Sequence, residues 1–137
     1  MTVDPKRGDI EIELVTETGK RRGFVLRPSF EAIVEIEEQT GWSIFALARR
    51  LAKAELGHHE VACVVGAGLK AAGEAVSYDA VGEMMLRTGL ADVLPPVGEF
   101  LAKVLGGFGS AEHTEAAPQP AKETTSRRQS TTAPTPC

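Results

Sequence analysis

The chain is short of cysteine, has no excess of basic charge and contains no long apolar run, and each shortage removes a class of protein. Its two cysteines are Cys63, inside an apolar stretch, and Cys137, the last of 137 residues. A bridge between them would tie the core to a terminal segment, so no disulfide framework is expected and a reduced, cytoplasmic setting fits, with Cys63 a buried structural thiol. The formal net charge of -4 and pI near 5.4 give no electrostatic attraction to a polyanion, which argues against nucleic acid as a partner. No apolar run approaches the roughly 18 residues of a membrane span, and MTVDPKRGD at the start has no signal core. A soluble intracellular protein is expected.

Catalytic motifs are missing too. No G-x-S-x-G elbow, Walker loop or HExxH occurs in the sequence, and the residues that invite chemical readings have simpler ones. His58 and His59 are adjacent and diverge on a helix, with no further ligand at metal spacing; His113 lies in the terminal segment. Glu31, Glu35, Glu37 and Glu38 read as the solvated, acid-favoured side of a helix. The sequence supports no enzyme, cofactor or metal site.

What is present is one small domain's worth of patterned segments. Ile10, Ile12 and Leu14 alternate with Glu11 and Glu13, then TETGKR makes a turn, then Arg22, Phe24 and Leu26 alternate with Gly23, Val25 and Arg27. This predicts a β-hairpin, which needs a partner layer to bury its apolar face. Ser29 offers an N-cap to an amphipathic helix carrying Phe30, Ile33 and Val34 and ending at Gly41. Trp42 and Ser43 open a second helix, with Ile44, Leu47, Ala48, Leu51 and Ala52 on one side, Arg49, Arg50 and Lys53 on the other, and Gly57 as its close.

The stretch VACVVGAGLKAAG (61–73) resembles a G-x-G-x-x-A phosphate loop through Gly66, Gly68 and Ala71. That loop belongs between two strands of a βαβ unit, and no second strand follows. Val61, Val64, Val65, Gly68, Leu69 and Ala72 instead fall on one face of a continuous helix, with Gly68 on the buried stripe where another backbone can approach. Ser77 caps a fourth helix with Tyr78, Val81, Met84 and Met85, ending at Gly89; a fifth, carrying Val97, Phe100, Leu101, Val104, Leu105 and Phe108, starts near Pro95 or Pro96 and is broken by Gly106, Gly107 and Gly109. Residues 110–137 hold no aliphatic side chain larger than Ala, so this tail is expected to be disordered. The expected architecture is α+β: residues 1–109 form an N-terminal β-hairpin packed on a small bundle of about five helices, and 110–137 the tail.

Several phrases then carry a resemblance: KRGDIEIEL, FVLRPSFEAIVEIEEQTG, SIFALARRLA, VVGAGLKAAG followed by S-Y-D-A-V, and TGLADV through LAKVLGG. Together, over about residues 6 to 108, they resemble the small tail-assembly proteins of gene transfer agents and related tailed phages. The resemblance implies a non-enzymatic tail assembly chaperone in the host cytoplasm, binding the tape-measure protein, with the tail tube protein and a second copy of the chain as further partners; a structural component of the virion tail is the alternative. No family motif assigns binding residues. Ile44, Phe45, Leu47, Met84, Met85 and Phe100 are the partner-binding candidates, weighed against the plainer reading that such residues fill the core.

Overall fold

The computed structural model describes residues 3–108. The tail at 110–137, with His113 and Cys137, lies outside the described residues, as does Gly109. Strands β1 (Ile10–Val15) and β2 (Arg21–Leu26) pair antiparallel, with Ile10 opposite Leu26, Ile12 opposite Phe24 and Leu14 opposite Arg22. Gly19 takes a positive φ in the connecting turn. Five helices follow: α1 (Phe30–Thr40), α2 (Ile44–Ala52), α3 (His58–Ala71), α4 (Tyr78–Thr88) and α5 (Leu90–Gly106). The arrangement is the expected one of a hairpin covering a five-helix bundle.

Alternation places Ile10, Ile12, Leu14, Phe24 and Leu26 on one face of the hairpin, and all five are buried against helices. Helix α3 is the centre of the bundle, with α1, α4, α5 and β2 all packed on it. Its run from Val61 to Val65 is helical and buried, which removes the strand-to-helix turn that a phosphate loop requires. Gly68 lets the sheet approach: a Cβ there would lie 3.0 Å from the Leu26 Cβ and 3.3 Å from its Cα. The Arg27 N–H donates to the Gly68 carbonyl at 3.0 Å, so strand and helix touch through their backbones.

The chain also ties its hairpin with polar groups. Arg27 donates from Nε and Nη2 to the two carboxylate oxygens of Asp9, each at 2.8 Å, and the Asp4 N–H donates to Asp9 Oδ2 at 2.7 Å. Arg27 beside it holds the Asp9 carboxyl below the usual carboxylate range, against a burial effect that acts the other way. At the other end the Val15 N–H donates to Thr88 Oγ1 at 2.8 Å, while the Thr88 hydroxyl donates to the Met84 carbonyl.

Three expectations need correction. Phe30 does not face inward; it is 82% exposed, and α1 buries Ala32 and Ile36 instead. Its position is about 160° round the helix from Ala32 at 100° per residue. Gly57 does not close α2, which ends at the Lys53 cap with Ala54 at positive φ; Gly57 is the N-cap of α3. Helix α5 begins at Leu90, so Pro95 and Pro96 lie inside it. Its buried face starts a turn early, at Val93, and Leu90 and Leu94 pack against the core beside it, so the helix runs through both prolines although each forgoes a backbone hydrogen bond.

Candidate interaction surface

The helix starts determine where side chains emerge. Ser29, Ser43 and Ser77 each accept a backbone N–H from the residue three positions on, fixing the first turns of α1, α2 and α4. For α3 the work passes to Glu60, which accepts from the Gly57 N–H at 2.7 Å and from Arg50 Nη2 at 3.2 Å. Those donors, the Gly57 N–H first, lower the Glu60 pKa. Arg50 lies over the Trp42 ring, 4.6 Å from its centroid, so it is spent on holding α2 to α3.

Around this junction α1, α3 and α4 meet at a small polar cluster. His59 Nδ1 lies 2.7 Å from the Tyr78 hydroxyl, and its Nε2 is 3.3 Å from the Gln39 carbonyl. The Cys63 sulfur is 3.7 Å from His59 Nε2, one helical turn on, but the thiol is buried and burial pushes its pKa up. A thiol kept protonated is not a nucleophile at neutral pH. Among the described residues no group of three metal-ligating side chains comes together.

Two of the open grooves along α3 also border α4. One, of about 540 Å³, runs between α1 and α4 over Ala62, Gly66 and Ala67, and Glu35 and Lys70 on its rim are 3.5 Å apart. The other, of about 390 Å³, lies between α3 and α4; Ala62, Gly82 and Met85 line it together with Tyr78, Asp79, Glu83 and Leu86. Leu86 is 65% exposed and Tyr78 52%. Exposed aliphatic and aromatic side chains around an apolar groove are what a protein-binding surface presents.

The six partner-binding candidates separate sharply. Ile44, Leu47, Met84, Met85 and Phe100 are buried in the core, the environment that the plainer reading gives them. Phe45 alone of the six stands out in solvent, at 68%. Helical spacing identified the apolar residues but not the side on which each would emerge. Spacing does not show that Phe30 and Tyr78 are exposed: each follows a capping serine, as does Ile44, yet Ile44 is buried and the other two are not; of the apolar group Met84, Met85 and Leu86, Leu86 is the member that faces outward.

A family model described as "Phage tail tube protein, GTA-gp10" matches residues 10–107, from the first residue of β1 to just past the end of α5. The chain belongs to this family. It is therefore a phage-tail or gene-transfer-agent tail protein, as the short phrases implied, and the family's description is that of a structural tail component. No curated protein and no solved structure gives a significant match. Among the described residues no helix of this tail protein is long and apolar enough to cross a membrane.

Proposed function

We propose that the protein is a structural component of the tail, joining the tail tube through protein–protein contact. The family match carries this reading, because it spans the whole hairpin and bundle and its description names the tube. That description favours the structural role over the assembly chaperone that the sequence resemblance implied. Phe45 on α2 and Leu86 and Tyr78 on α4 fit it, since a subunit in an assembly keeps apolar groups outside its own core. The reading requires the protein in the finished particle, in the virion tail. Quantitative mass spectrometry of purified particles is expected to find it in proportion to other tail proteins; particles lacking it would sink the reading.

The chaperone reading stays second because the α3/α4 groove has an apolar floor and an open mouth, suited to a helix laid in from a client. It places the protein in the host cytoplasm, on the tape-measure protein, and absent from particles. Co-expression with a tape-measure fragment would then raise that fragment's solubility and yield a complex on pull-down.

A further inference from the structure

We propose that this chain binds a second copy of itself head to tail, with the outer face of α2 in one copy seated along the α3/α4 groove of the next. The inference rests on complementary side chains at matching spacing. On α2 and its C-cap, Phe45, Arg49 and Lys53 follow at intervals of four residues and all three are exposed. On α4, Asp79, Glu83 and Leu86 line the groove at intervals of four and three, and all three are exposed. Among the described residues none of Arg49, Lys53, Asp79 and Glu83 is in an ion pair, although neighbouring charges such as Arg50 and Glu60 are.

Four residues of helix rise about 6 Å and three about 4.5 Å, so the two ladders register to within about 1.5 Å when the helices run antiparallel. Phe45 then meets Leu86, Arg49 meets Glu83 and Lys53 meets Asp79. Gly82, one turn before Leu86, leaves room for the ring, because a Cβ built on it would meet nothing within 4 Å. Within one molecule the two surfaces are on different elements, since α2 packs on α5 and α1 while the groove lies between α3 and α4. The contact uses two different patches, so each bound copy leaves one of each patch free, and association propagates into a ring or a filament rather than stopping at a two-fold dimer. This gives the structural reading its contact, but it is testable on the purified protein whether or not particles retain the chain.

The test is a charge-reversal exchange on the full chain, followed by sedimentation velocity at low salt. R49E/K53E and D79K/E83K should each weaken association by roughly tenfold or more, because like charges then face each other. Mixing the two variants should restore assembly, as should combining all four changes in one chain, since opposite charges face again. F45D tests the apolar anchor and should reduce association with both charge ladders intact. All these positions are exposed, so unchanged circular dichroism is expected of each variant. A wild-type chain that stays monomeric at high concentration would overturn the proposal. So would association indifferent to R49E/K53E and F45D, or double reversals that fail to rescue one another.

Discussion

Two glycines two residues apart in the sequence have opposite roles in α3. Gly66 is open, since a Cβ there would sit at ordinary contact distance, 3.8 Å from Val81 Cγ2. Gly66→Ala is therefore expected to stabilise by up to about 1 kcal/mol through helix propensity. Gly68→Ala meets Leu26, at 3.0 Å from its Cβ and 3.3 Å from its Cα. Leu26 cannot withdraw, because the next residue's N–H is bonded to the Gly68 carbonyl. Overpacking of about 1–3 kcal/mol outweighs any propensity gain, so thermal melts should shift in opposite directions for the two variants. Asp9 supplies a third prediction at this scale. Its side chain is fully buried and that of Arg27 largely so, and Asp9→Asn leaves the cation without its charge partner, at a cost of about 3 kcal/mol in urea denaturation at neutral pH. Because the folded-state pKa of Asp9 is held below the usual carboxylate range, the wild-type advantage is complete above the unfolded value and is lost as pH falls through the folded one. Urea titrations at successively lower pH should show the two proteins converging below about pH 4.

At the scale of elements, Thr88 is the joint between sheet and bundle, accepting from the Val15 N–H and donating to the Met84 carbonyl. Thr88→Val keeps the shape but strands the Val15 amide, at an expected cost of about 1–2 kcal/mol. Loss of hydrogen-exchange protection at Val15 ahead of the rest of β1 would locate the effect; equal protection in both proteins would refute it. The sequence revealed the elements themselves because their periods are clean: two residues in the hairpin, and a 3.6-residue stripe in α3 from Val61 to Leu69. It misjudged ends wherever two signals competed. Gly57 reads equally well as a stop for α2 or a start for α3, and what decides is Glu60 reaching back to its amide. The paired prolines read as a helix start, yet α5 begins at Leu90 and Val93, ahead of both, is already fully buried.

For the molecule as a whole, the family and the architecture were legible in short phrases and periods, whereas the outward surface was not. Spacing says that Met84, Met85 and Leu86 are apolar; only the packing of α4 on α3 decides that the methionines are enclosed and the leucine stands out. The same holds on α2, where Leu47 is enclosed and Phe45 is not. Core volume and surface adhesion are thus written in one alphabet, and distinguishing them takes the third dimension. This has a thermodynamic consequence for self-association, which stabilises the native state only through copies that are folded, so the melting temperature should rise with protein concentration. Two arms separate the forces at the contact. High salt should flatten the rise partway, because ladders of exposed charge are screened over less than about 10 Å, while F45D should flatten it by removing apolar area that salt does not weaken. A melting temperature independent of concentration at low salt would show that the α2 and α4 faces do not meet, and the tail contact would then have to be sought on the side of the bundle where Phe30 projects from α1.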